Sequence, residues 1–412
     1  MRSLWLLALA ASGCRAILGI EEPPPLVDSG GPAMCASWHP AGFDPCALEI
    51  SKPALMLGDA QYTYRTTTTS GALYDAANNV VLSSGQSVMQ LDGSTVSVLS
   101  IGQLTTSAGT RLAVVGPRPL LVVSWSSIVV DGVIDAGSHL KIIDAAAHVA
   151  QIIQGAGADQ GCVTSAGSDG GDAPSTQPPG GSGGGGGGGG QALGGAGGRG
   201  GRGVAQGGPG GQPGTAGADG AFRGGCPGGT SGAAGLIARS PATAGSRALG
   251  GAGGGAIRLV AHDSIEVRGT ISANGAGGAG APTSSACGGG GGGSGGHIGF
   301  EAPIVLLGGS ITANGGGGGG GGDASLPGND GADGAVGTQA APGGAVASSG
   351  CGQPGGAGAA AATLGGAPAT SSDACSGGGG GGGGATGFIV VRSPGYTPGA
   401  VTLSPAAQIQ VP

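Results

Sequence analysis

The chain has 412 residues, 104 of them glycine, where about 7% is usual. Charged residues make up 9%, aromatic residues 3%, and the net charge is −7. This excludes the common disordered class, which pairs low hydrophobicity with high charge. It also argues against a nucleic-acid binder: the arginines from Arg199 to Arg258 are spread thinly through glycine and form no basic patch.

In chain order, Met1-Arg2 and the apolar run Leu4–Ala11 read as a processing signal, too short to span a bilayer as a mature helix. Ala11-Ser12-Gly13-Cys14 follows and resembles the lipobox of bacterial lipoproteins, with Ala11 where that pattern prefers Leu. The resemblance implies lipidation of Cys14 after removal of residues 1–13. It also implies the outer membrane as destination, because Arg15 is not the retaining Asp. Ordinary signal cleavage with a bystander cysteine is the alternative. Several acyl chains on one cysteine make a stable anchor. Residues 14–54 then form the anchor, a Pro/Gly tether (Pro23-Pro24-Pro25, Asp28–Pro32) and a small cysteine loop. Export favours disulfides. Cys35 with Cys46 and Cys351 with Cys375 are the expected pairs, while Cys162, Cys226 and Cys287 leave one thiol over.

Residues 55–137 alternate short β-rich runs with turn residues: Gln61–Thr66, Asn79–Leu82, Ser87–Leu91 and Thr95–Leu99. A repeat follows. Residues 120–137, 257–275 and 298–315 are copies of one unit, and the first two align without a gap: Ser127 on Ser264, Ile128 on Ile265, Val130 on Val267, Gly132 on Gly269, Ile134 on Ile271. Period-two alternation turns Ile257, Leu259, Ile265, Val267 and Ile271 inward, and Arg258, Val260, Glu266 and Arg268 outward. Each unit is three short strands that bury their apolar face only by stacking. The expected fold is therefore all-β, a parallel β-helix or β-solenoid-like stack. Asn274 and Asn314 take the same place in two units, either as a hydrogen-bonded ladder or as residues tolerating a left-handed turn. Phe388–Arg392, Ala400–Leu403 and Gln408–Val411, within 387–412, form a degraded capping unit that protects the edge.

Glycine-rich inserts occupy 138–254, a short stretch between the two units within 255–315, and 316–386. All leave after a third strand and return before a first, so they emerge from one corner and lie side by side. The first opens with helix-like spacing over Lys141–Gln154, which predicts a short helix. Two readings of the glycine remain open. One is flexible coil, since glycine loses the most entropy on ordering. The other is a bundle of antiparallel polyglycine helices, suggested by glycine at every third residue (208, 211, 214, 217, 220 and 328, 331, 334, 337).

A β-helix enzyme needs carboxylates or basic groups converging from adjacent rungs. The outward Asp131, Asp135, Arg258, Glu266, Arg268 and Glu301 give no aligned carboxylate pair: Asp131 meets Arg268 and Asp135 meets Ser272. His39, His139, His148, His262 and His297 are scattered, and no Cys/His spacing suggests zinc. The Gly-x-Ser-x-Gly matches at Ser182 and Ser294 lie inside poly-Gly, and no P-loop lysine follows the runs. Gly328–Gly334 faintly resembles one calcium-binding β-roll loop, but a single copy makes no array. The expectation is no catalysis, no metal and no cofactor.

The lipobox with Ile17–Glu21, Ala60–Tyr64, Arg118–Ser124 leading into Val130-Asp131-Gly132, and Gly155–Asp159 together resemble the glycine-rich predicted lipoproteins of myxobacteria. The glycine density also resembles that of the mycobacterial PE-PGRS proteins, without their Pro-Glu domain. The resemblance implies a cell-envelope location and no set activity. The functional expectation is a lipid-anchored structural or adhesive protein at the outer membrane or cell surface. Its partners would be the membrane and a polysaccharide or cell surface, with no nucleic acid. A β-helix polysaccharide lyase or hydrolase is the first alternative, and a glycan- or ice-binding module using the glycine-rich face is the second.

Overall fold

The computed structural model describes residues 35, 38–48, 53–84, 86–90, 93–144, 149–173, 181–201, 205–214, 222–233, 247–282, 286–323, 326–346, 351–371 and 377–411. Cys14 and the signal and tether residues before position 35 lie outside these, as do His148 and Cys375. Residues up to His39 form one unit and Pro40 onward another. In the first, the Trp38 amide donates to the Cys35 carbonyl. All that follows concerns the second.

The N-terminal part supplies β1 (Leu55–Leu57), β2 (Gln61–Thr66), β3 (Gly71–Asp75), β4 (Val80–Ser84), β5 (Gln86–Met89), β6 (Thr95–Ile101), β7 (Leu104–Thr106) and β8 (Arg111–Val115). The first copy of the repeat is β9 (Leu120–Ser124), β10 (Ser127–Val130) and β11 (Val133–Asp135), followed by β12 (His139–Asp144) and β13 (Val149–Ile153). The second copy is β14 (Ala256–Ala261), β15 (Ser264–Val267) and β16 (Thr270–Ser272). The third is β17 (His297–Glu301) and β18 (Ile304–Thr312), and the chain closes with β19 (Phe388–Arg392), β20 (Gly395–Ser404) and β21 (Gln408–Gln410).

The arrangement is all-β and solenoid-like, with mostly parallel sheets. First strands of successive copies pair in the order β6-β9-β14-β17-β19-β21, and β5 adds antiparallel to β6. Second strands pair as β1-β7-β10-β15-β18, and third strands as β2-β8-β11-β16-β18, with β18 and β20 long enough to serve both positions. The register is that of the gapless alignment: Ser127 opposite Ser264, Val130 opposite Val267, Ile134 opposite Ile271. Register follows from the buried face, because a one-residue slip would turn every apolar side chain to the other side. Ile128, Ile134, Ile257, Leu259, Ile265, Ile271, Ile298, Val305, Ile311, Ile389 and Val391 are all fully buried in one continuous core, at about 1.5–3 kcal/mol each. The turn from second to third strand is a glycine column. A Cβ on Gly269 would lie 2.0 Å from the Gly132 carbonyl oxygen, and Gly309 has φ +66 with the Gly269 carbonyl at 2.0 Å.

Three expectations are corrected here. Residues 139–144 and 149–153 pair as antiparallel strands, not a helix: Leu140 faces Ile152 and Ile142 faces Ala150. The isoleucines at 142, 143, 152 and 153 favour extended backbone over helix, overriding the spacing. Gln408–Gln410 is not a third strand but returns to pair with β19 on the first-strand sheet. The outer face of that sheet is not wet either, since Leu121, Val123 and Val260 are buried. Residues 41–43 run over it, with the Ala41 amide donating to Glu301 Oε1 at 2.7 Å.

The glycine-rich inserts form an ordered lattice. In residues 182–190 the amides of Gly184, Gly187 and Gly190 donate to Gly198, Gly195 and Ala192; those of Gly183, Gly186 and Gly189 to Gly171, Ser168 and Ser165; those of Ser182, Gly185 and Gly188 to Ala286, Gly289 and Gly292. The carbonyls of the same run accept from Gly208, Gly211 and Gly214, from Gly229 and Gly232, and from Gly379, Gly382 and Ala385. One face recurs at every third residue, which is the three-residue turn of a polyproline-II helix, and six neighbouring segments surround this one. The runs 286–296, 314–322 and 377–386 are enclosed in the same way. Neighbours run both parallel (182–188 with 286–292) and antiparallel (184–190 with 198–192), so the bundle is mixed rather than antiparallel.

The packing explains the two kinds of glycine pattern. In an enclosed run every direction meets a chain: a Cβ would lie 1.8 Å from the Gln206 carbonyl oxygen at Gly183, 1.9 Å from that of Gly380 at Gly184, and 2.0 Å from that of Gly229 at Gly185. At these positions only glycine fits. Peripheral segments keep one free face, and there every third residue carries an exposed side chain: Leu193, Ala196, Arg199, then Gln206, Pro209, Gln212. Of the triplet glycines, 208, 211 and 214 bond to the enclosed run 182–190, and 328, 331 and 334 to the segment 275–281. Gly337 falls outside the lattice at φ +110, and 217 and 220 lie outside the described residues. Each amide bond contributes about 0.5–1.5 kcal/mol net, which offsets the ordering entropy the coil reading relied on.

The bundle is continuous with the solenoid-like sheets. Gly255, Gly296 and Gly387 donate to Ala136, Ala273 and Ala313, and the next residues, Ala256, His297 and Phe388, to Ala156, Gly255 and Gly296. The hydrogen-bond ladder thus passes without a break from the inserts into β14, β17 and β19. The inserts lie side by side from one corner, as their exit points require.

Candidate functional site

Aspartates at three-residue spacing finish the lattice at two of its edges. Asp169 and Asp172 accept from the amides of Thr230 (2.8 Å) and Ala233 (2.7 Å). Pro227, three residues earlier on that face, has no amide to satisfy. Asp330 accepts from Gly280 (2.7 Å), and Asp333 from Gly277 (2.9 Å) and Leu140 (3.0 Å). The loop with a faint calcium-loop likeness is therefore an edge seal made of carboxylates.

The predicted outward residues separate into local pairs. Arg268 bonds Asp131 (2.6 Å) and lies 3.6 Å from Glu266. Ser272 Oγ donates to Asp135 (2.8 Å), and Arg258 pairs with Glu301. His139 lies between Asp135 (2.9 Å) and Asp333 (3.2 Å). Hydrogen bonds to Asp135 and then Asp333 hold its pKa up at about 10, so it is an imidazolium that fastens the solenoid edge to the bundle. Asp135 is pushed up by burial, but the bond and charge of His139, with the Gly137 amide and Ser272, bring it below the usual value. The Ser272 hydroxyl reaches the carboxylate and not the imidazole, so this group is not a nucleophile–base pair. His262 bonds its neighbour Asp263 at 2.6 Å. Among the described residues no cluster of three or more His, Cys, Asp or Glu could hold a metal.

The serines inside poly-Gly are buried bridges. Ser182 Oγ donates to the Gly232 carbonyl (2.7 Å) and accepts from the Gly288 amide (2.9 Å), and Ser294 Oγ accepts from Cys226 (2.8 Å). Asn274 Oδ1 accepts from the Asn314 amide (2.8 Å), and Ser404 donates to Asn314 Oδ1 (2.6 Å). That is a ladder through backbone and side chain together, and neither asparagine is left-handed. Cys162 and Cys226 form a disulfide, Cys35, Cys46 and Cys351 are also disulfide-bonded, and Cys287 remains a buried thiol.

Two surfaces remain. One is the open side of the bundle, where 192–201 bonds both 205–211 and 366–369. It exposes Leu193, Ala196, Arg199, Gln206, Pro209, Gln212, Leu364 and Pro368 in rows. The other is a cavity of about 240 Å³ where bundle and solenoid meet, lined by Gln160, Thr164, Ser165, Arg223, His297 and Phe388 among others. Sequence reasoning missed the cavity because its walls come from separate inserts and a strand, with no local signature. Comparison with protein-family models, with curated proteins and with solved structures finds no match for this chain.

Proposed function

We propose that this is a lipid-anchored, non-catalytic protein of the outer membrane or cell surface, structural or adhesive in role. In this reading it is a three-sided parallel β-helix holding out a polyglycine bundle, tethered through Cys14 and its Pro/Gly stalk. The observation that supports it most is the bundle's open side. A lattice in which nearly every enclosed amide is bonded and the enclosed glycines leave no room for a Cβ is stiff, and its rows of Leu, Ala, Pro and Gln with Arg199 offer a broad, weakly charged contact surface. Such a surface suits repetitive polymers better than a compact substrate.

The test uses the full chain in detergent on immobilised bacterial and plant polysaccharides, scoring retention and release of new chain ends. Retention without release, weakened by Leu193→Asp together with Gln212→Asp, supports the reading. Release of oligosaccharides would replace it with the β-helix lyase or hydrolase. Labelling with a palmitate analogue, lost in Cys14→Ser, checks the anchor.

A further inference from the structure

The cavity at the root of the bundle is lined by two polar side chains that make no side-chain hydrogen bond among the described residues. His297 and Ser165 are both 9% exposed, and both line the cavity. Neither belongs to the side-chain atoms sealed in the packing without a partner, so their polar atoms stay open to the cavity. They come from different elements: His297 opens β17, and Ser165 stands on an insert segment whose own carbonyl is taken by Gly189.

The chemistry of the lining narrows the occupant. Burial, then the charges of Arg258 and Arg392, hold His297 down at about 3, so its imidazole is neutral and offers one donor and one acceptor. Ser165 offers the same combination. A ligand that suits both carries hydroxyl groups, which donate and accept in turn. Phe388 adds an apolar wall, packed 6.1 Å from the His297 ring, and Phe222 backs that ring edge-on at 5.0 Å. An aromatic wall facing a ring's C–H groups, with hydroxyl partners around the rim, recognises a sugar. Size agrees: a cavity of about 150 Å³ admits a benzene-sized ring, so about 240 Å³ holds one six-membered ring with its hydroxyl groups. The walls are also braced. The Cys162–Cys226 disulfide ties the 160–165 wall to the 223–226 wall, and preorganisation of this kind lowers the ordering cost of binding.

We propose that this cavity binds a single pyranose residue, such as the end of a glycan chain, with Ser165 and His297 as its polar contacts and Phe388 as its stacking wall. The proposal rests on the reading of the chain as a polysaccharide-facing adhesive protein and gives it an end-recognising site beside the flat side of the bundle.

The experiment is ligand-observed saturation-transfer NMR on the full chain in detergent, with glucose, galactose, N-acetylglucosamine and glucuronate as separate probes. In parallel, the His297 ring resonances are followed in histidine-labelled protein. The expected result is transfer to at least one sugar with a concentration-dependent shift of the His297 ring. Affinity should weaken about tenfold in Ser165→Ala, a change that leaves the backbone bond to Gly189 in place. His297→Phe, which keeps the aromatic packing, should remove binding. If no probe shifts the His297 ring, or if binding is equal in wild type and both variants, the proposal is overturned. Retention on polysaccharide that survives both variants would overturn the cavity and leave the flat side of the bundle as the adhesive surface. Sugar binding without polymer retention would do the reverse.

Discussion

Gly187→Ala is a one-methyl test of the lattice. Gly187 sits in an enclosed run, and its new Cβ would lie 1.9 Å from the Gly383 carbonyl oxygen. Ordinary contact begins at 3.4 Å, so the two segments must part by 3.4 − 1.9 = 1.5 Å. The flanking bonds between them, Gly382 to Gly185 and Ala385 to Gly188, are both 2.9 Å and would open to about 4.4 Å, beyond hydrogen-bond range. Each leaves buried groups unpaired at about 1–3 kcal/mol, about 2–6 kcal/mol for the two bonds. Alanine returns about 0.4–1 kcal/mol by restricting the unfolded chain. The expected loss is about 1–5.5 kcal/mol. Gly214→Ala is the matched control: its Cβ would meet only ordinary contacts, Ser165 Oγ at 3.6 Å and the Gly190 carbonyl at 3.7 Å, so it should be neutral or slightly stabilising. The assay is urea unfolding followed through the polyproline-II circular dichroism band. Equal midpoints for the two variants would refute the steric reasoning.

Other expectations follow from the same contacts. His139 sits near 10 in the fold against an ordinary 6.5, so its contribution is complete below pH 6.5 and is lost as pH rises from there through 10. The midpoint of urea unfolding should fall across that window in wild type and stay flat in His139→Gln. Burial raises Asp159 to about 6 although it accepts from the Gly253 amide; the folded state therefore favours the protonated form, and stability declines from pH 3.8 to 6. Asp159→Asn keeps one acceptor for the Gly253 amide while the Gln154 side-chain amide turns to accept from the new NH2, tolerates the φ of +63, and should be the more stable protein at pH 7.5 in a thermal melt. Removing the Cys162–Cys226 bond, which spans 64 residues, should cost up to roughly 4 kcal/mol by loop entropy, read as a drop in urea midpoint for the Cys162→Ser, Cys226→Ser double variant.

The solenoid was legible because its register is written in the apolar residues. Ile128 over Ile265 and Ile134 over Ile271 leave one pairing that keeps both inside. The shared exit corner followed from where the copies break off. The bundle was half legible. Glycine triplets such as 208, 211 and 214 show a three-residue repeat, but the uninterrupted runs carry no period of their own, and their meaning appears only when six neighbours are in place. Leu140, Ile143 and Ala147 mimic helical spacing, while the β-branched residues Ile142, Ile143, Ile152 and Ile153 decide the backbone of the paired strands 139–144 and 149–153. The pairing of His139 with Asp333, and the meeting of Ser165 and His297 in one cavity, join parts of the chain far apart in sequence, and no local pattern announces either.

The central claim, that the glycine runs are an ordered lattice, is tested most directly by amide hydrogen exchange on the full chain, resolved to peptides covering 183–190, 288–293, 315–322 and 377–384. The account expects these runs to be protected on the same timescale as β14 and β17, because their amides are bonded and buried. Exchange at the rate of an unstructured glycine chain, with β14 and β17 still protected, would contradict it.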